Sequence, residues 1–317
     1  MTATTSNRLG TSDLTVFPLA LGGNVFGWTA DEAQSFAVLD AFLAAGGDFV
    51  DTADVYSAWA PGNSGGESET VIGRWLAARG NRADVVIATK VSQHPEFQGL
   101  SAANIAAATE ASLRRLGTDH IDLLYTHFDD GTTPVEEIIT ALDALVRAGK
   151  VRHIAASNIS PARLTASLDF SDREGLARYV AVQPHYNLVS RGTYEGELAD
   201  VTARHGLAAV PYYALASGFL TGKYRLGGAA VDSVRAGGAA KHLETPRGLK
   251  VLEALDTVAA AHDAEVATVA LAWLLAQPTV AAPIASARTV EQLPALVAVA
   301  DLTLSEAELT LLTDASA

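Results

Sequence analysis

The chain has 317 residues, 49% of them hydrophobic and 7% aromatic, enough for a large core in one big domain or two. A formal net charge of −14 makes nucleic acid and anionic membranes poor partners, and the absence of cysteine excludes disulfides and thiolate metal sites, so no metal centre is expected. The opening "MTATTSNRLG" is polar, and no apolar stretch reaches the roughly 20 residues of a membrane span, so a soluble, cytoplasmic protein is expected.

In chain order, "TVFPLAL" (15–21) predicts a first strand, followed by a helix over "TADEAQSFAVLDAFLAAGG" (29–47) with Thr29 as cap, Glu32 three residues later and glycines at its end. "DFVDTA" (48–53) and "VVIATK" (85–90) predict strands two and three. "SAANIAAATEASLRRLG" (101–117) predicts a helix that stops at glycine, and "IDLLYTH" (121–127) a fourth strand. The clearest helix lies within "TPVEEIITALDALVRAGK" (133–150), where Val135, Ile138, Ile139, Leu142, Leu145 and Val146 form one apolar stripe. Thr133 is its expected cap, Pro134 its first helical residue, Glu136 the closing member of a capping box and Gly149 its stop. Four more strands follow in "RHIAAS" (152–157), "YVAVQ" (179–183), "LAAVPYY" (207–213) and "VAAPIAS" (280–286). The segment 222–245, "GKYRLGGAAVDSVRAGGAAKHLET", is rich in glycine and poor in apolar residues, and is expected to be a mobile lid loop over the barrel mouth.

Strand–helix alternation implies a parallel sheet, and eight such strands in a chain of this length predict an α/β fold of the (β/α)8 TIM barrel type, with residues 1–317 as a single domain. An open doubly wound sheet fits less well, because "LGGNVFG" (21–27) lacks the G-x-G-x-x-G spacing of a dinucleotide turn. "SGFLTGKY" (217–224) resembles a phosphate loop, but is one residue short between its glycines and has Tyr224 where a magnesium-binding hydroxyl belongs.

In a barrel, chemistry gathers at the C-terminal ends of the strands. Asp51 and Tyr56 follow strand two, Lys90 ends strand three, His127 strand four, Ser157 and Asn158 come at strand five, Gln183 ends strand six and Tyr212 lies at strand seven. One by one these residues have ordinary readings: a cap, a packed aromatic, a histidine satisfied by backbone. Their convergence on one rim is the signal. Lys90 is the least ordinary, because a lysine closing an apolar strand needs a counter-ion or must lose its proton, and Asp51 on the neighbouring strand is the obvious partner. A free phenol, with a pKa of about 10, is a poor acid at neutral pH. A lysine cation beside Tyr56 is expected to stabilise the phenolate and lower that value, while His127 bonds the substrate oxygen or relays a proton. The set reads as a proton donor for a carbonyl oxygen. The electrons must come from a bound cofactor: Ser157, Asn158 and Gln183 suit a carboxamide and Tyr212 offers a flat face, as a nicotinamide requires.

The chain resembles the aldo-keto reductase family over essentially its whole length, through "DTADVY" (51–56), "GESETVIG" (66–73), "IATK" (87–90), "IDLLYTH" (121–127), "AASN" (155–158), "VQPHYNLVSR" (182–191), "PYYALASGFLTGKY" (211–224) and "IASARTVEQL" (284–293). The resemblance implies a barrel closed by an N-terminal hairpin at "NRLGTSDLTVFPL" (7–19), with NADPH (NADP+) extended across its mouth. It implies a tetrad of Asp51, Tyr56, Lys90 and His127, a carboxamide held by Ser157, Asn158 and Gln183, and stacking by Tyr212. Ser217, Leu220 and Lys223 are implied beside the pyrophosphate, and Ser286, Arg288 and Gln292 around the adenosine phosphate.

Two departures stand out. Ala295 and Leu296 occupy positions where many members have Glu-Asn against adenine, and "SAWAPGNSGG" (57–66) is longer than the usual turn. That loop carries Trp59 and is expected to shape a substrate pocket, with Asn24, Phe26 and Trp28 opposite. The function this implies is NADPH-dependent reduction of a small-molecule aldehyde or ketone. A Schiff-base aldolase using Lys90 and a non-catalytic, cofactor-sensing partner protein are the alternatives. Asp51 argues against the aldolase, since an amine nucleophile must be neutral. No residue pattern specifies an oligomeric state.

Overall fold

The computed structural model describes residues 6–228 and 233–317. Its main sheet has 8 strands, all pairs parallel. In chain order they are β1 (Ala20–Gly22), β2 (Phe49–Asp51), β3 (Val86–Val91), β4 (Ile121–Thr126), β5 (Val151–Ser157), β6 (Tyr179–Gln183), β7 (Ala208–Ala209) and β8 (Ile284–Ala285). Neighbours follow the order of the chain from β1 to β7, and β8 pairs with β1. The sheet closes on itself where Ala209 bridges Val280: the Ala209 amide donates to the Thr279 carbonyl at 2.8 Å, and those of Ala281 and Ile284 donate to Ala209 and Pro211 at 2.9 and 2.8 Å. The fold is therefore the α/β barrel the alternation predicts.

Each strand has two buried faces, which is why parallel strands read as unbroken apolar runs. Side chains alternate between them. Phe49, Ala88, Leu123, Tyr125, Ala155, Ala181, Ala208 and Val210 fill the barrel interior. Val50, Ile87, Leu124, Ile154, Ala156, Val182 and Ala209 point outward into the main core beneath the helices. The expected hairpin forms: Asn7–Arg8 pairs antiparallel with Thr15–Val16. Its Leu9, Leu14 and Val16 join the interior cluster, so the hairpin plugs the end opposite the strand C-termini. The predicted first strand (15–21) is thus two elements, Thr15–Val16 in the hairpin and Ala20–Gly22 in the barrel, separated at Pro18.

The outer helices are α1 (Glu32–Ala44), α2 (Glu67–Arg79), α3 (Ala102–Leu116), α4 (Val135–Arg147), α5 (Pro161–Glu174) and α6 (Glu197–Arg204). They are followed by α7 (Ala236–Leu243), α8 (Pro246–His262), α9 (Val266–Leu275), α10 (Pro294–Val297) and α11 (Glu306–Ala315). Two caps differ from expectation. Asp31, not Thr29, caps α1, in a capping box with Gln34. α4 starts at Val135 without a side-chain cap, because the Thr133 hydroxyl donates to Asp130 at 2.6 Å instead. Gly117 and Gly149 do stop their helices, with φ of 62° and 72°.

The segment 222–245 is not all loop. Residues 229–232 lie outside the described residues, but α7 occupies much of the remainder, and its His242 ring packs on Phe219 with centroids 4.9 Å apart. Among the described residues no single helix is long and apolar enough to cross a membrane.

Close packing of α2 on α3 rests on Gly73, where an added Cβ would come within 2.3 Å of the Arg115 carbonyl oxygen. Alanine gains about 1 kcal/mol of helix propensity over glycine. Here overlap with rigid backbone outweighs it: Gly73→Ala is expected to lower stability by a net ~1–2 kcal/mol. Urea unfolding measures this, and a stabilised variant would mean that α2 shifts freely on α3.

Candidate active site

The period of two that sorts the core also builds the site. Continuing each inward series by one step leads from Phe49 to Asp51, Ala88 to Lys90, Tyr125 to His127, Ala155 to Ser157, Ala181 to Gln183 and Val210 to Tyr212. Inside the barrel the lower layers are apolar, and the layer at the strand C-terminal ends is polar.

At its centre is Lys90, fully buried. Its Nζ donates to Asp51 Oδ1 at 2.6 Å, the Thr52 carbonyl at 2.7 Å and the Tyr56 hydroxyl at 2.9 Å. The ammonium also lies 4.6 Å from the centroid of the Tyr56 ring. Burial pulls the Lys90 pKa down, and the Asp51 carboxylate opposes it. The Tyr56 phenol is pushed well above its ordinary value, first by burial and then by Asp51. This corrects the expectation that Lys90 lowers it: desolvation of the phenolate outweighs the cation. Tyr56 therefore holds its proton throughout the neutral range, and the ammonium sits where it would meet a phenolate as one forms.

His127 packs edge-on to Tyr56, ring centroids 6.0 Å apart. Burial, with repulsion from Lys90, drives its pKa well below the usual histidine value, and among the described residues its buried Nδ1 has no hydrogen-bond partner. A neutral imidazole can bond a substrate oxygen, but it carries no ionisable proton to relay at neutral pH.

The residues expected around a carboxamide are wired to this group. Gln183 Nε2 donates to Asp51 Oδ2 at 2.9 Å, so this glutamine buttresses the ion pair as well as facing the mouth. Ser157 Oγ donates to the Gln183 carbonyl at 2.9 Å. Asn158, at φ 48°, donates from Nδ2 to the His127 carbonyl and to Ser157 Oγ, and accepts from the Tyr212 hydroxyl at 2.8 Å. His185 stacks on Tyr212, 5.4 Å between centroids and 23° between planes, and Tyr213 packs obliquely against the same ring at 5.4 Å.

Beyond β7 the chain passes through an uncommon backbone: Tyr213, Ala216 and Ser217 have φ of 55°, 47° and 57°, followed by Gly218 at 93°. Leu220 is fully buried, so beside a pyrophosphate it would offer only its backbone. Lys223 is exposed and borders Gly218, where a built Cβ would lie 3.6 Å from its Nζ. On the β8 side, Ser286 Oγ donates to Asn24 Oδ1 at 2.7 Å, and Gln292 Oε1 accepts from the Arg288 amide at 2.8 Å. Leu296 is buried and cannot face a ligand, while Ala295 uses its carbonyl to accept from Thr268. Arg235, at the start of α7, escaped sequence reasoning because it lies in the predicted loop. Burial lowers its pKa, and Tyr213, Tyr56, Arg288 and Tyr224 are the charged or ionisable groups that act on it. A left-handed turn bordered by Lys223 suits a phosphorylated ligand.

The expected substrate pocket is partly redrawn. Phe26 is fully buried and contributes a carbonyl that accepts from Ser57 Oγ at 2.8 Å, rather than a pocket wall. Asn24 belongs with Ser286. Trp28 and Trp59 do meet, edge to face at 5.5 Å, and Trp59 lies 6.1 Å from the Tyr56 ring. The 57–66 loop is held in place by Asn63 Nδ2, which donates to the Gly27 and Ser57 carbonyls. Phe128 and Tyr213, 44% and 49% exposed, are further aromatic groups beside His127 and Tyr212 that the sequence reading did not single out.

The ion pair makes a stability prediction of its own. Lys90→Met leaves the Asp51 carboxylate buried with Gln183 as its remaining side-chain donor. The loss is expected to be about 3–5 kcal/mol, much of it recovered by adding Asp51→Asn. Urea unfolding of the single and double variants checks this, and a loss below ~1 kcal/mol in the single variant would contradict it.

The aldo/keto reductase family model matches residues 18–317. An uncharacterized oxidoreductase, YrpG, of Bacillus subtilis (strain 168) is 36% identical over 315 residues, covering 96% of this chain and 94% of that protein. Norsolorinic acid reductase stcV of Emericella nidulans is 35% identical, covering 93% of this chain and 76% of its own. A probable voltage-gated potassium channel subunit beta of Oryza sativa subsp. japonica is 33% identical, with coverage of 90% and 88%. Matched by the family over nearly its whole length, the chain belongs to the aldo/keto reductase family, and with it to the oxidoreductases.

Proposed function

We propose that this protein reduces the carbonyl group of a flat, apolar aldehyde or ketone to an alcohol, with NADPH as hydride donor and Tyr56 as proton donor. The observation that carries this reading is the Lys90 ammonium, 2.6 Å from Asp51 and 2.9 Å from the Tyr56 hydroxyl at the barrel mouth.

When bound, NADPH supplies the hydride; the chain supplies position and the proton. Tyr212 gives the nicotinamide a flat face, and Asn158 and Ser157, themselves bonded to each other and to Tyr212, are assigned to its carboxamide. Lys223, Arg235 and Arg288 supply positive charge for its phosphates. A substrate carbonyl between Tyr56 and His127 receives a hydrogen bond from the neutral imidazole and another from the phenol. As negative charge grows on the carbonyl oxygen, the Tyr56 O–H bond breaks, the proton passes to that oxygen, and Lys90 stabilises the phenolate left behind. Trp28, Trp59, Phe128 and Tyr213 present rings and no charge, which favours an aromatic substrate over a sugar phosphate or an organic acid. The similarity to a norsolorinic acid reductase supports the same class.

The aldolase reading loses ground because the Lys90 amine is engaged by Asp51, Thr52 and Tyr56 and has no free approach for a carbonyl carbon. Similarity to a probable voltage-gated potassium channel subunit beta keeps a non-catalytic partner role as the second reading, and steady NADPH oxidation with a simple aromatic aldehyde would exclude that role as the sole function.

Tyr56→Phe keeps the ring and removes the acid. Carbonyl reduction is expected to fall by roughly 10²–10⁴-fold, with NADPH binding retained. Near-normal turnover would remove Tyr56 from the mechanism.

The preference for NADPH over NADH is expected to come from local contacts, since the long-range field of an acidic chain repels the extra phosphate. Arg288→Ala is expected to weaken NADPH binding by roughly 1.5–3 kcal/mol and NADH binding hardly at all, as for one charged hydrogen bond. Equal weakening of both, measured by fluorescence titration, assigns Arg288 elsewhere.

A further inference from the structure

Behind Lys90 is a second carboxyl that the mechanism does not use. Asp54 is fully buried, and among the described residues neither of its carboxyl oxygens has a hydrogen-bond partner. Its own amide donates to the Lys90 carbonyl at 3.0 Å, which fixes it to the strand that carries the lysine. Asp54 shares its surroundings with charged groups from several elements. From α2 comes Glu69, fully buried, whose Oε1 accepts from the Thr89 hydroxyl at 2.5 Å. From α3 comes Arg115, which donates from Nε to Glu69 Oε2 at 2.6 Å. From β3 and β2 come Lys90 and Asp51. After β3 come buried His94, its ring against Gly65, and Ser92 at the strained φ of 110°. The Ser92 and His94 amides act on the Asp54 carboxyl without reaching good hydrogen-bond geometry.

Within this cluster Asp51 and Glu69 are balanced by Lys90 and Arg115, each in a close pair. Asp54 is the surplus acid. An unpaired carboxylate in such a place is costly, and it sheds that cost by taking a proton.

We infer that Asp54 is a positioning residue: its protonation sets the charge that Lys90 feels and, through Lys90, how readily Tyr56 gives up its proton. The inference rests on the reductase reading given above. Burial, and then repulsion from Glu69, raises the Asp54 pKa to about 7, and Asp54 is among the groups that act on Lys90. Below that pH the carboxyl is neutral and the Lys90 charge is available to a forming phenolate. Above it, Asp54 has released its proton to solvent and stands as an anion beside Lys90, opposing negative charge on Tyr56. Reduction should therefore decline in a step near pH 7, well before the phenol itself ionises.

The folding equilibrium carries the same signature with a defined sign. The folded-state pKa lies above the ordinary carboxylate value, so the folded protein holds a proton that the unfolded chain has released, and stability falls as pH rises from the carboxylate range to about 7.

The test compares wild type with Asp54→Asn, which keeps the shape and cannot ionise. In single-turnover reduction of an aromatic aldehyde, the wild-type rate is expected to fall roughly three- to tenfold across this step, equivalent to a shift of up to one pKa unit. The variant should keep the acid-side rate and lose the step. Infrared titration of wild type needs no variant and should show a buried protonated carboxyl that ionises near pH 7 and is absent from Asp54→Asn. A step that persists in the variant, or a wild-type Asp54 already ionised at pH 5, overturns the inference alone. Absence of any carbonyl turnover overturns the reductase reading and the role of Asp54 with it.

Discussion

A lysine ammonium held inside the mouth of a hydrocarbon-lined barrel is the constraint on which the rest of the site depends. Removing such an ion from water costs several kcal/mol even after relaxation, and a single carboxylate partner offsets that only when both partners are fully hydrogen-bonded. Lys90 meets the condition with Asp51, the Thr52 carbonyl and Tyr56, and Asp51 meets it with Lys90 and Gln183. The chain of bonds runs on from Gln183 through Ser157 and Asn158 to Tyr212, so ends of β2, β3, β5 and β6 and the segment after β7 are held in one network. Partial loss of such a network leaves buried charge uncompensated, and this makes it rigid.

Much of this was legible in the sequence, because a barrel turns linear parity into convergence. Once eight short apolar runs alternate with helices, polar residues that continue the inward parity of each run must meet at one rim. Asp51, Lys90, His127, Ser157, Gln183 and Tyr212 needed no knowledge of contacts beyond that. What parity cannot supply is who bonds whom across the rim. Gln183 was expected to face a ligand and instead also braces Asp51. Phe26 and Leu220 lie in loop segments without a strand period, where the sequence does not separate an outward-facing side chain from a buried one, and both proved buried. Thr133 looked like a helix cap, but Asp130 three residues earlier takes its hydroxyl. The direction of the Tyr56 shift was also hidden, since the sequence names the neighbouring cation but not the amount of water excluded from the phenol.

The residues missed share a cause. Arg235, Phe128 and Tyr213 sit on segments tied to distant parts of the chain: the His242 ring of α7 packs on Phe219, Ser92 Oγ bonds the Phe128 backbone, and Asn187 Nδ2 donates to the Tyr213 carbonyl. Loops shaped by such long-range ties carry little local pattern, and it is to such loops that the proposed function assigns substrate choice and phosphate recognition. Chemistry common to many substrates is built on strands; discrimination is built on loops.

The charge distribution divides in the same way. A protein with net charge −14 repels a phosphorylated ligand at long range, while Arg235 and Arg288 lie near enough for one charge to act on the other and Lys223 borders the left-handed turn at Gly218. Beyond about 10 Å salt screens the repulsion, and within that distance the local cations dominate. Clustering them has its own penalty, visible where Arg288 helps depress Arg235. A phosphate bound beside both groups would offset that repulsion as well as form new bonds. Binding strength thus depends on the difference between the two states rather than on the contacts alone, and the acidic exterior confines that gain to ligands able to reach the mouth.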